Sequence, residues 1–426
     1  VLTSGRVIET EMNILSIGVA PESTLAADAG LTLGIKQTIQ VDDQLRTSDP
    51  SIFAIGDAIE VKDYITKEAT HVPLAWPANR QGRLVADIIA GRDVRYSGTL
   101  GTAVAKVFDL TVASTGNNEK RLRQLGLRYE AVHLHPGSHA GYYPGASPIS
   151  MKLLFDPIEG TIYGAQAIGM TGVEKRIDVL ATAIKGGLTV LDLPDLELSY
   201  APPYSSAKDP VNMAGYIASN IVLGDSANVH WHEIDAIVAN GGLLLDVREP
   251  SENELGAIPG SVNISLPTLR EKLDDLPKDQ TIYVTCQVGL RGYVASQLLQ
   301  QHGYEVKNLS GGYKTWSVVH RDQEARSQAK EETAVTVTKR EPETKTAPEQ
   351  VTLLDTCGLQ CPGPILELKT KIDQMTDGEQ IFVKASDPGF LPDVQAWAKK
   401  LGHTVHSAEM NQGVVEVLLE KGQGET

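Results

Sequence analysis

Cysteine is scarce in this 426-residue chain: Cys286, Cys357 and Cys361 are the only three. Three thiols cannot build a disulfide framework, and their scarcity fits a reducing compartment. The expected location is therefore cytoplasmic, and each retained thiol is a candidate for chemistry rather than for stapling the fold. Long apolar runs are also missing; none approaches the ~18 residues that mark a membrane span, so no membrane partner is expected. Positive charge is in deficit. With 38 Lys and Arg against 54 Asp and Glu, the net charge of −16 provides no basic field to attract nucleic acid or anionic lipid. Internal repeats at solenoid periods are absent, and a length of 426 residues predicts about three domains at roughly 150 residues each.

What is present is α/β sequence in several blocks. Asn13 to Val19 reads as a short buried strand ended by Pro21, and Ile52 to Ile55 as a second one after the Thr47-Ser48-Asp49-Pro50 turn. Gly56-Asp57-Ala58 then lies at a strand's carboxyl end, where open α/β sheets place ligand contacts. Ala78, Leu84, Val85, Ile88 and Ile89 are spaced for a helix closed by Gly91. Strands over 151–155 and 161–167 and helices over 175–185 and 210–221 make the next block α+β. From Ile234 to Trp316 the pattern restarts as strand and helix in alternation, which predicts a small parallel sheet. Residues 320 to 350 are rich in Glu, Lys, Arg and Thr and poor in large apolar side chains, the composition of a flexible linker. The last block carries Ile365, Leu368, Ile372 and Met375, then Val394, Trp397, Ala398 and Leu401, at helical spacing among strands.

Cys286 ends an apolar strand and opens Cys286-Gln287-Val288-Gly289-Leu290-Arg291-Gly292, which runs into a helix. A thiol placed there meets loop N–H groups, the positive end of a helix dipole and the charge of Arg291, and all three favour an anion on sulfur. The loop is one residue short of the one that wraps a phosphate. Cys361 precedes Pro362-Gly363-Pro364 and a helix, so the prolines start that helix just after the thiol and a nucleophilic or sulfur-carrying role is expected. Metal binding is not expected: Cys357 and Cys361 lack a second pair, and the turn at Pro136-Gly137 separates His133 and His135 from His139.

Three family resemblances rest on these residues. The Cys286 loop, with Asp246-Val247-Arg248-Glu249, Ile258-Pro259-Gly260 and Gly311-Gly312-Tyr313-Lys314-Thr315-Trp316, resembles a rhodanese over about 90 residues, apart from Ala257 where that family usually has His. The resemblance implies that Cys286 carries a persulfide. Cys361-Pro362-Gly363-Pro364 resembles the TusA (SirA-like) sulfur carriers, in which the matching cysteine holds the persulfide. Gly56-Asp57-Ala58, then Pro73 to Gly82, Gly98 to Ala103 and Gly137 to Gly145, resemble coenzyme A-disulfide reductases and their NADH oxidase relatives over residues 1–224. This third resemblance implies FAD, with Asp57 accepting from the ribityl chain and Gly56, Ala58 and Pro77 beside it, and NAD(P)H near Gly18. It also implies a homodimer through residues 96–224, and coenzyme A, a small disulfide or a persulfide as substrate. Tyr142 and Tyr200 are the best matches for tyrosines that reach the partner's active site, with Tyr143 and Tyr204 as competitors.

The chain departs from that family in one large respect. Its single Gly-x-Gly is Gly422-Gln423-Gly424, no cysteine precedes Cys286, and it starts at Val1 in strand-like sequence. It therefore reads as the C-terminal part of a longer enzyme, holding FAD weakly or not at all. The expected fold class is an α/β multidomain chain. Its parts are a truncated FAD/NAD(P)-binding domain over 1–95, an α+β dimerisation domain over 96–224, a rhodanese-like α/β domain over 225–320, the linker over 321–350 and a small α+β TusA-like two-layer sandwich over 351–422. The expected function is FAD-dependent NAD(P)H:disulfide oxidoreduction coupled to persulfide transfer by Cys286, helped by Arg291, and by Cys361, with sulfur-acceptor proteins as further partners. The competing expectation is a sulfurtransferase relay attached to an inactive dimerisation remnant.

Overall fold

The computed structural model describes residues 7, 8, 10–321, 351–359, 363–387, 389–411 and 414–422. Cys361 and all but the first residue of the expected linker lie outside them. The chain divides into two compact units, residues 1–101 and 102–426.

In the first unit the helix Ala75–Ile89 buries Pro77, Gln81, Leu84 and Ile88, one face at helical spacing. Leu84 joins Leu45, Ile59 and Val61 in a small core, and the only ladder among the described residues of this unit pairs Val61–Lys62 antiparallel with Ala69–Thr70. The strand expected over Asn13 to Val19 does not form. That segment has no regular structure, and Ile14, Leu15 and Ile17 are exposed, Ile17 to 90%. An apolar run becomes a strand only when a neighbour supplies the ladder's N–H and C=O groups, and no described strand of this unit pairs with it. The expected buried strand at Ile52 to Ile55 shrinks to a single bridge, Arg46 with Phe53, and both isoleucines are exposed.

Among its described residues the second unit holds three sheets. The first is antiparallel, in the order Ala103–Val107, Leu110–Gly116, Ile162–Gly169, Ile149–Phe155, Glu130–Leu134, and the helices Val173–Gly186 and Pro210–Val222 follow it in sequence. The second is parallel throughout, in the order Val262–Asn263, Leu243–Asp246, Ile282–Thr285, Val306–Leu309, Asn228–Val229. Its central strands are buried almost continuously, as strands covered on both faces must be. Bonds to this module fasten it to the first sheet: His133 N–H donates to Ser310 Oγ (2.9 Å), His135 Nε2 lies 2.8 Å from Thr315 Oγ1, and His230 Nε2 lies 2.9 Å from Glu130 Oε1.

The third sheet runs Val351–Asp355, Gln380–Ala385, Val414–Glu420, Thr404–Asn411, with the first pair parallel and the rest antiparallel. Ile381, Val383, Val415, Val417 and Leu419 alternate inward and meet Ile365, Leu368 and Ile372 of the helix Gly363–Asp373 and Val394 and Trp397 of the helix Phe390–Lys400. This is a two-layer sandwich. Each fully buried Leu or Val contributes about 1.5–3 kcal/mol relative to exposure.

Candidate functional site

The strand Ile282–Thr285 ends at Cys286, at the carboxyl edge of the parallel sheet, and the helix Leu290–Gln301 starts four residues later. Gly289 sits between them at φ +105°, a left-handed conformation that a residue with a Cβ adopts only under strain. That turn aims the Gly289 N–H at the sulfur, with N and Sγ 3.1 Å apart. Cys286 is 1% exposed, so its sulfur meets the Gly289 amide at the head of a helix in place of bulk water. A second turn clamps the loop from outside: Tyr313 N–H donates to the Cys286 carbonyl at 2.7 Å and Lys314 N–H to that of Gln287 at 2.9 Å. Gly312 permits this approach, because a Cβ there would stand 2.3 Å from the Cys286 carbonyl oxygen.

Charges surround the thiol in an ordered set. Arg291 forks onto Glu252, with Nη1–Oε2 at 2.6 Å and Nη2–Oε1 at 2.7 Å. Glu252 chiefly raises the Arg291 pKa, and the neighbouring Cys286 and Asp246 add to it. Burial pushes the Glu252 carboxyl up, but the Arg291 fork outweighs it and the net direction is down. Buried Arg248 takes both carboxylate oxygens of Asp246, reaches Gln287 Oε1 at 3.3 Å and lies 4.2 Å from the Tyr313 ring centroid. Sequence reasoning missed Glu252. Its local signal is that of a capping residue after Pro250, and only the fold brings it to Arg291, 39 positions away.

The face beside Gln287 meets the third module. Leu255 packs on that module's core, Lys369 Nζ lies 3.4 Å from Glu254, and Arg321 pairs with Asp393. Between them is a cavity of about 60 Å³ lined by Gln287, Tyr313, Arg248, Arg321, Ile365 and Trp397. Ile365 belongs to the helix whose sequence follows Cys361. Cys357 is described and exposed; burial first, then the hydrogen bond with Asp355, pushes its thiol up to about 11.

Of the expected tyrosines, the structure brings Tyr142 and Tyr200 together: their hydroxyl oxygens are 2.9 Å apart and the side chains are 77% and 47% exposed. The Tyr200 pKa is raised, first by this hydrogen bond. Tyr143 instead packs edge-on against His139, and Tyr204 is exposed. His133, His135 and His139 do not converge. Burial pushes His133 and His135 down to about 3, and His139 bonds Ser138 and the Pro144 carbonyl. Among the described residues no group of three or more His, Cys, Asp or Glu is placed to hold a metal ion, and no helix is long and apolar enough to cross a membrane.

In the first unit Gly56–Ala58 forms a single 3₁₀ turn, Gly56 at φ +81° donating its N–H to Gln81 Oε1 at 2.7 Å. His71 binds the Asp57 carbonyl at 2.7 Å, and the Asp57 side chain is left exposed. Ala58 uses its carbonyl on Ile39 N–H, and Pro77 is buried in the first turn of the adjoining helix. A fixed turn presenting one exposed carboxylate fits an acceptor for a hydroxyl-bearing cofactor such as FAD. Gly18 stands apart, exposed at φ +96° in the irregular segment.

Comparison with known proteins agrees with this layout. Profiles described as "Pyridine nucleotide-disulphide oxidoreductase" and its "dimerisation domain" match residues 1–82 and 102–210. "Rhodanese-like domain" matches 230–318 and "Sulfurtransferase TusA" 352–421. A coenzyme A disulfide reductase of Staphylococcus aureus (strain bovine RF122 / ET3-1) is 42% identical over 216 residues, 50% of this chain and 49% of that protein. The chain thus spans about half the length of the curated relatives it matches. The crystal structure of reduced Bacillus anthracis CoADR-RHD is 62% identical with a TM-score of 0.74, covering 75% of this chain and 58% of that one. A NAD-dependent persulfide reductase from A. fulgidus is 40% identical with a TM-score of 0.64, covering 70% and 54%. The chain carries pyridine nucleotide-disulphide oxidoreductase sequence joined to a rhodanese-like domain and a TusA domain.

Proposed function

We propose that this protein is an FAD-dependent NAD(P)H:disulfide reductase, acting on coenzyme A disulfide, a persulfide or a polysulfide, coupled to sulfane-sulfur transfer through Cys286 and Cys361. The observation that carries the reading is the Cys286 cradle, a thiol held against the Gly289 N–H at a helix start inside the Arg291–Glu252 and Arg248–Asp246 pairs. With thiosulfate as donor, the Cys286 thiolate attacks the sulfane sulfur, the S–S bond breaks and sulfite leaves with the electron pair. The new Cys286 persulfide keeps its negative outer sulfur among the loop amides. A second nucleophile then attacks that outer sulfur and returns the thiolate. The packing of the TusA domain beside Gln287 supports Cys361 as that nucleophile, and one polypeptide raises its effective concentration.

For the reductase half, FAD when bound supplies two-electron transfer between NAD(P)H and a disulfide. Asp57 serves it as a hydroxyl acceptor, with Gly56, Ala58 and Pro77 fixing the turn. Tyr142 and Tyr200 act toward the substrate: in a hydroxyl pair sharing one hydrogen bond, one O–H stays free to donate to the thiolate released on cleavage. The match of residues 102–210 to a dimerisation domain supports a homodimer in which this pair faces the partner's flavin.

The test is mass spectrometry after incubation with thiosulfate. A gain of 32 Da (~32, one sulfur atom) is expected on Cys286 and then on Cys361, and C286S is expected to lose both. Labelling of Cys361 in C286S would sink the relay. Visible absorbance of the purified chain tests the flavin assignment: D57A is expected to release whatever FAD the chain holds, and unchanged flavin content would remove Asp57 from it.

A further inference from the structure

Arg176 is 1% exposed in the helix Val173–Gly186, where it interrupts an apolar stripe of Val173, Ile177 and Leu180. Its guanidinium is shared among four partners. Nη2 donates to the Ser138 carbonyl at 2.9 Å and to Ser205 Oγ at 3.2 Å, Nη1 donates to the Gly172 carbonyl at 3.0 Å, and Nε and Nη2 lie 3.2 and 3.0 Å from Asp209 Oδ2. Asp209 is 2% exposed and accepts from Ser205 Oγ at 2.7 Å. Ser138 begins the loop that carries Tyr142, and Ser205 ends the one that carries Tyr200. Ala140 N–H donates to the Ser205 carbonyl at 2.9 Å, tying the two loops to each other.

We propose that Arg176, held by Asp209, is the positioning residue that sets the Tyr142 and Tyr200 loops at hydroxyl hydrogen-bond distance. This rests on the reading of the tyrosine pair as the substrate-facing group. A buried ion pair is a poor device for stability alone, since apolar residues of similar volume usually do as well or better. What the guanidinium supplies is direction, because its planar fork reaches two loops distant in sequence at once. The chain makes room for it at Gly172, which has φ +71° and where a Cβ would fall 2.2 Å from Arg176 Nη1. Arg176 touches neither hydroxyl and so acts through the loops.

The experiment labels the 426-residue chain with ¹³Cζ-tyrosine and assigns the two signals by their loss in Y142F and Y200F. In the parent chain Tyr200 is expected to titrate above an ordinary tyrosine, because Tyr142 hydrogen-bonds its hydroxyl, and in Y142F to fall back toward the ordinary range. R176Q is expected to lower the Tyr200 midpoint to its Y142F position, and R176K, which keeps the charge but loses the fork, to fall between. A Tyr200 midpoint in R176Q equal to the parent's, with far-UV circular dichroism unchanged, overturns the proposal. Where R176Q does not fold, D209N decides by the same two outcomes, because Asn keeps the N-cap acceptor for the helix Pro210–Val222 while removing the charge that holds Arg176. Failure of the underlying reading looks different: the protein carrying Y142F and Y200F would then reduce disulfides at the parent rate, whatever the titration of R176Q.

Discussion

On the proposed function, Cys286 and Cys357 invert the usual link between exposure and reactivity. Cys357 is exposed as a residue, yet partial burial of its thiol, then the hydrogen bond with Asp355, pushes it up to about 11. Cys286 is almost wholly covered, yet its sulfur accepts an N–H at the head of a helix within electrostatic reach of Arg291. On the proposed function, surrounding dipoles and charges, and not access alone, decide which of the two thiols works.

The widest separation is expected from direct replacement. C286S should lose thiosulfate:cyanide sulfur transfer to background, while C357S should leave it unchanged; a cyanide assay on both variants checks this. Next is the clamp over the Cys286 loop. G312A forces a Cβ against the Cys286 carbonyl at φ +61° and is expected to lower stability by about 2 kcal/mol or more and sulfur transfer with it. Urea unfolding that matches the parent would show that the loop is looser than its contacts imply. A third, moderate effect concerns Cys357 in alkylation at pH 8. Its raised pKa cuts the thiolate fraction about 100-fold, the higher nucleophilicity of that thiolate recovers about tenfold, and a net rate about tenfold below an ordinary exposed thiol is expected by peptide mass spectrometry.

The smallest effect is in acid. The Glu252 pKa is depressed in the folded chain below its ordinary 4.5. Its contribution to stability is therefore fully present above pH 4.5 and is lost as the pH falls through the lower folded value. E252Q should flatten that part of the pH–stability profile, and a profile parallel to the parent's would mean that the Arg291–Glu252 fork adds nothing to the loop.

The Cys286 loop was legible because its parts are contiguous: an apolar strand, Cys286, Gly289 and Arg291 within a few positions, then a helix, all expressing local geometry. The alternation in the carrier domain was legible for the same reason, since Val415, Val417 and Leu419 follow the strand period and Ile365, Leu368 and Ile372 the helical one. Asn13 to Val19 misled because strand composition describes a capacity to pair, and no described strand of its unit pairs with it. Glu252 and Arg176 were invisible for the opposite reason. Each carries ordinary local signals, a capping carboxylate and a helical arginine, and acquires its role from partners 39 and 33 positions away.

By itself, then, the sequence determined the domain types, the α/β class and the thiol loop, because periodicity, turn residues and helix starts act over a few residues. Only the tertiary structure decided which charges stand beside Cys286, which two tyrosines share a hydrogen bond and what braces their loops. Long-range pairs form when packing brings distant side chains out of water together, and the free energy that selects them is not written at either position alone.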